Sequence, residues 1–188
     1  MKNIPTSLFF ICIIHLSFAQ VNIFKNGSFN GLVGEDQHGE GWNTGSSPDL
    51  NDTSGILHTS TGYSWIKKPT PSVDGGTWQN LYSYREFLEQ RVTVEPGKTY
   101  TILLEYAAQG ISAGTYKYDQ PVGIDIYIDE ELKFSTPVDK TPYTWESACF
   151  QFTPKLNSVI IRFSASAEQY VGIDGVKLIQ GNLCNRTP

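Results

Sequence analysis

The segment Val122–Asp129 (VGIDIYID) alternates without a break, Val122, Ile124, Ile126 and Ile128 against Gly123, Asp125, Tyr127 and Asp129. A period of two puts all four branched apolar side chains on one side of an extended backbone, whereas a helix would scatter them around its axis. Thr99–Ala107 (TYTILLEYA) repeats the pattern, with Tyr100, Ile102, Leu104 and Tyr106 on one face and Thr101, Leu103 and Glu105 on the other. Phe87–Val94, Trp145–Phe152, Ser158–Phe163 and Tyr170–Ile179 complete the series, and Ile23–Phe29 opens it. No long segment carries a helical period. Turn markers such as Pro96-Gly97-Lys98 and Asp129-Glu130-Glu131 recur at roughly ten-residue intervals from residue 90 onward, the spacing of an all-β sandwich or barrel. The expectation is one all-β domain.

The flanks of this pattern narrow the setting. Met1–Ala19 carries Lys2, the apolar run Leu8–Ile14, and small residues Ser17 and Ala19 before Gln20, the layout of a secretory signal peptide. The run is shorter than the ~18 apolar residues of a membrane span. The domain is therefore expected over residues 20–188, secreted or periplasmic, with no membrane span. Only Cys149 and Cys184 then remain of three cysteines. In an oxidising compartment such a pair suggests a disulfide, the alternative being two buried thiols, and the spacing is wrong for zinc. The formal net charge is −5 and only 18% of residues are charged, which argues against nucleic acid as a partner.

Asn30–Tyr84 differs from the rest. It is rich in Gly, Ser, Asp and Trp, with little sustained alternation, and suggests short strands and loops that serve function.

Asn26-Gly27-Ser28-Phe29-Asn30 followed by Gly41-Trp42, Glu89-Gln90 leading into Val92–Tyr100 (VTVEPGKTY), and the closing Tyr170–Leu178 (YVGIDGVKL) occur in that order. Together they resemble the jelly-roll, galactose-binding-like carbohydrate-binding modules attached to secreted bacterial xylanases and cellulases. The resemblance covers nearly all of residues 20–188. It implies a single jelly-roll β-sandwich of two antiparallel sheets, a poly- or oligosaccharide ligand, and a structural calcium near Asn26, Asn30 and Asp174. Two departures bear on the calcium: Asn30 replaces the acidic residue after the Phe, and Gly175 replaces the second Asp of the closing strand.

Sugars present flat C–H faces ringed by hydroxyls, so a site needs exposed rings beside polar groups. Glu105, Asp125, Tyr127 and Arg162 fall on outward positions, and Gln109 extends the strand of Glu105. Placed in one sheet, they share its concave face. The loops supply Trp78, Tyr82, Tyr84 and Arg85, while Trp42 is expected in the core. Two other readings stay open. One is a surface-protein adhesion module of the same fold. The other is a small glycoside hydrolase or lyase using Glu105 and Asp125 as a carboxylate pair, although no HExxH, GxSxG or P-loop occurs.

Overall fold

A computed structural model describes residues 21–54, 62–67, 69–139 and 141–184, so the expected signal peptide lies outside it. Among the described residues every regular element is a strand. In chain order these are β1 (Asn43–Gly45), β2 (Asp49–Asn51), β3 (Tyr63–Trp65), β4 (Trp78–Tyr82), β5 (Phe87–Thr93), β6 (Tyr100–Ala108) and β7 (Ile111–Ala113). They continue with β8 (Tyr116–Tyr118), β9 (Ile124–Ile128), β10 (Glu131–Ser135), β11 (Glu146–Phe152), β12 (Ser158–Ala165) and β13 (Tyr170–Gln180). No helix among them is long and apolar enough to cross a membrane.

Two five-stranded antiparallel sheets form the body. The front sheet runs β11-β6-β13-β4-β2 and the back sheet β1-β5-β12-β9-β10, with a small third sheet β3-β7-β8. From β5 to β13 the chain passes repeatedly between front and back sheets, as a jelly roll requires. The alternating positions do what their period demands. Ile102, Leu104 and Tyr106 of the front sheet meet Ile124, Ile126, Ile161 and Phe163 of the back sheet in one core. Burying a large side chain of this kind is worth about 1.5–3 kcal/mol.

Trp42 closes one end of that core, as expected. Its ring centroid lies 5.3 Å from Phe24, 5.2 Å from Phe29 and 5.9 Å from Phe163. Its Nε1 donates to Asn26 O at 3.0 Å, so the buried indole leaves no donor unpaired. On the open side of the sandwich, the rings of Phe134 and Phe150 stack at 5.2 Å, and Phe152 stacks on Tyr100 at 5.9 Å.

Two segments depart from the period-two expectation. Ile23–Phe29 forms no strand. Asn22 replaces ladder bonds with its side chain, Nδ2 donating to Val176 O and Oδ1 accepting from Leu178 N and Phe24 N. Asn26 and Phe29 then take positive φ of 50° and 44°, which a strand cannot contain. Conversely, Glu131–Ser135 is a strand that exposure and charge disguised. Asp129 and Glu130, with φ of 50° and 68°, turn β9 tightly into β10.

Cys149 of β11 is bonded to Cys184, with Cα atoms 5.5 Å apart and a sequence separation of 35. The bridge ties the segment after β13 to an edge strand. A loop of that size contributes on the order of 3 kcal/mol in the chain-entropy account. Reduction, or the double change Cys149→Ser and Cys184→Ser, is expected to lower the melting temperature by roughly 6–12 °C. An unchanged melt in reductant, with both thiols titrating as free, would rule the bridge out.

Candidate functional site

The outer face of the front sheet gathers most of the chemistry. Since Ile102, Leu104 and Tyr106 point into the core, Leu103, Glu105 and Ala107 of β6 point outward. Register sets Asp174 beside Glu105, Gly172 beside Ala107 and Asn80, and Tyr170 beside Tyr82. Trp78, Asn80 and Tyr82 of β4 and Gly172 and Asp174 of β13 therefore form parallel outward rows.

This face is divided into three parts. At one end Tyr82, Tyr118 and Tyr170 pack against each other at centroid distances of 4.9–5.5 Å, roofed by Tyr63, Trp65 and Ile111 of the third sheet. Burial pushes the phenols of Tyr82, Tyr118 and Tyr170 above their ordinary value. In the turn that follows β4, Tyr84 is exposed, with the Arg85 guanidinium 5.7 Å from its ring centroid. In the middle, Trp78 and Trp145 meet edge to face at 5.9 Å over Gly172. A Cβ on Gly172 would come within 3.1 Å of both indoles and 2.7 Å from Gln109 Nε2, so only glycine lets these groups close over the strand. Trp145 is half-buried, its Nε1 donating to Thr70 O at 2.8 Å.

The third part is polar. Asp174 is fully buried and accepts from Ser72 Oγ at 2.5 Å, and Glu105 Oε2 accepts from Val73 N at 2.8 Å. Gly175, at φ 56°, forms the bulge that follows Asp174. An open depression of about 210 Å³ lies here, lined by Leu103, Glu105, Ser147, Gly175 and Lys177. Register puts Ser147 opposite Glu105, and Trp145, two positions before Ser147, lies over Gly172, outside the residues that line the depression. Among the described residues, Asn80 Nδ2, Gln109 Oε1 and Asp174 Oδ1 on this face find no hydrogen-bond partner, nor do Trp65 Nε1 in the third sheet and Ser164 Oγ in the back sheet. A buried polar atom left unpaired costs about 1–3 kcal/mol, and such atoms cluster where ligands or waters are taken up.

The expected grouping of Glu105 with Asp125, Tyr127 and Arg162 is corrected. Glu105 belongs to the front sheet, and the other three to the outer face of the back sheet. Equal alternation phase cannot tell one sheet from the other. Glu105 and Asp125 therefore do not form a carboxylate pair. The back-sheet groups are occupied with each other. Arg162 lies 3.9 Å over the Phe87 ring and pairs with Glu89 at 2.7 Å, and Ser135 Oγ donates to Asp125 at 2.6 Å. Trp78 and Gln109 are on the front sheet but buried rather than offered to solvent. Trp145, Ser147, Asp74 and Lys177 were not singled out. Trp145 lies just before β11, and only the packing of β4 and β13 brings it over Gly172 beside Trp78.

Asn26, Asn30 and Asp174 do not come together as a calcium-ligand set. The Asp174 carboxyl faces Ser72, Asp74 and Glu105, while Asn26 is bonded to Asn30 and Glu40. Among the described residues no group of three or more His, Cys, Asp or Glu has metal-site geometry.

A larger hollow of about 440 Å³, lined by Ile128, Lys133, Phe152, Lys155 and Leu156, lies away from this face. It offers no open ring: Phe152 is stacked on Tyr100 and Phe150, and Lys133 is paired with Glu131.

The sequence matches no protein-family profile and no curated protein. Among solved structures it is similar to TmCBM61 in complex with β-1,4-galactotriose, at 13% identity over 86% of this chain and 99% of that one, TM-score 0.48. It is also similar to the CBM22-1 xylan-binding domain of Paenibacillus barcinonensis Xyn10C, at 9% identity over 75% and 86%, TM-score 0.45. A family 35 carbohydrate binding module from Clostridium thermocellum shows 17% identity over 72% and 100%, TM-score 0.43.

Burial, with Asp74 and Glu105 nearby, pushes the Asp174 carboxyl up to about 7, against the opposing hydrogen bond from Ser72. An unfolded Asp titrates near 4. Between roughly pH 4 and 7 the folded chain thus holds a proton that the unfolded chain has released, and stability falls as pH rises through that window. Wild type is expected to lose stability relative to Asp174→Asn between pH 4 and 7.5 in urea unfolding. A difference that stays constant across that range would sink this account.

Proposed function

We propose that this chain is a secreted, non-catalytic carbohydrate-binding module that takes a poly- or oligosaccharide on the outer face of its front sheet. The observation that carries the reading is the depression lined by Glu105, Ser147 and Lys177 on the same sheet face as the half-buried indole of Trp145. A sugar ring stacks its C–H face on the indole. Its hydroxyls donate to the Glu105 carboxylate and accept from Lys177 and Ser147. At about 210 Å³ the depression is smaller than the ~300–1,000 Å³ pockets that enclose small molecules. A chain lying across the face suits it better than a ligand swallowed whole. The Cys149–Cys184 bridge and the signal-like start agree with an exported protein.

A protein partner is the second reading. Tyr84 and Tyr116 are 64% and 74% exposed, with Arg85 beside Tyr84, and Tyr and Arg are favoured anchors of protein interfaces.

Affinity electrophoresis against a panel of plant, algal and bacterial polysaccharides tests the proposal. At least one is expected to retard the protein, and Glu105→Gln to weaken that retardation tenfold or more with the melting temperature nearly unchanged, while Trp145→Ala weakens it as much and also lowers the melt by removing the ring packed on Trp78. Undiminished retardation of both variants would place the ligand elsewhere. No retardation by any polysaccharide, with a surface protein captured through Tyr84 and Tyr116, would favour the second reading.

A further inference from the structure

The loop from Asn26 to Trp42 closes on one side chain. Asn26 occupies the left-handed region, φ 50°, which asparagine tolerates better than most residues. Its Oδ1 accepts from Asn30 N at 2.8 Å. Its Nδ2 donates to two carbonyls from separate parts of the loop, Asn30 O at 3.0 Å and Glu40 O at 3.2 Å. Its own carbonyl accepts from Phe29 N at 3.1 Å and Trp42 Nε1 at 3.0 Å. The loop is shaped around this amide: a Cβ on Gly39 would stand 3.1 Å from Asn26 Nδ2.

Carbonyl oxygens converging beside a side-chain oxygen make up the donor set of a calcium ion, which needs oxygen at 2.3–2.6 Å on every side. Here the two carbonyls converge on a nitrogen that carries two hydrogens. A cation at that point would face N–H donors instead of lone pairs. Lys25 and Glu40 line the same opening with opposite charges, so it carries no net negative charge to draw a cation in. The carboxyl expected to complete a metal set, Asp174, faces Ser72, Asp74 and Glu105 instead of the Asn26 loop.

We infer that the loop seating Trp42 closes on the Asn26 amide without the structural calcium that the sequence resemblance implies. The inference stands apart from the ligand proposed above. It has a sharp corollary. Asn26→Asp exchanges Nδ2 for an oxygen, keeps the bond from Asn30 N, and sets a carboxylate against the carbonyls of Asn30 and Glu40. That arrangement is repulsive until a cation enters it.

Melts of the full chain in EDTA and in millimolar calcium chloride decide the matter. Wild type is expected to melt at the same temperature in both. N26D is expected to melt roughly 3–8 °C lower in EDTA and to regain most of that in calcium. A wild-type melt that falls on chelation and returns with calcium overturns the inference, as does an N26D melt that calcium does not move. If N26D fails to fold, NMR of the wild type is decisive. Calcium-induced shifts of the Asn26, Asn30 and Glu40 amide signals overturn the inference, and unmoved signals uphold it.

Discussion

Strand β13 is buried along nearly its whole length on both faces, and the rest of the architecture follows from that. Its inner side feeds Val171, Ile173, Val176 and Leu178 into the core. Its outer side is covered by loops and by the third sheet instead of by water. An antiparallel sheet usually solvates one face. Covering this one required small or polar residues that fit under a roof, which is why Gly172 and Asp174 sit where exposed polar residues would otherwise stand. The bulge at Gly175 lets the strand change phase, so that Val176 returns to the core and Lys177 emerges at the surface.

Burial of that face sets its electrostatics. The back sheet resolves its outer charges internally, with Arg162 sandwiched between Glu89 and the Phe87 ring. The front sheet does not: Asn80, Gln109 and Asp174 each keep an unpaired atom beside the two tryptophans. Since buried polar groups are normally paired, the two faces are not equivalent surfaces. Among the described residues the back sheet leaves Ser164 Oγ unpaired, against three such atoms on the front face. The face proposed to take the ligand is the one that keeps more unpaired polar atoms and holds the depression at Glu105 and Ser147.

The long strands were legible because their alternation is dictated by burial on one side. Val122–Asp129 and Thr99–Ala107 became β9 and β6 with their inward residues as read. Trp42 was legible as core from its Gly-Trp setting. What the period could not carry was sheet membership. Glu105 and Asp125 have the same phase and lie on opposite sides of the molecule, because pairing is settled by contacts distant in sequence. Ile23–Phe29 misled for a different reason: asparagine side chains there supply bonds that backbone supplies in a strand. Trp145 was missed because its neighbours on the face, Gly172 and Trp78, come from segments far apart in the chain.

The strand order has a kinetic side. The last strand, β13, lies between β6 and β4, and the one before it, β12, lies between β5 and β9. Neither sheet has a centre until almost the whole chain is available. An elongating chain would hold β4, β5, β6 and β9 each with one edge open, waiting for residues beyond 158. Pairings this distant in sequence belong to the slow end of folding, milliseconds to seconds, since loop closure must precede their reward. The architecture therefore favours assembly of both sheets only after the residues of β13 have been made. Until β12 and β13 insert, the exposed strand edges are the chain's main hazard for association with other copies of itself.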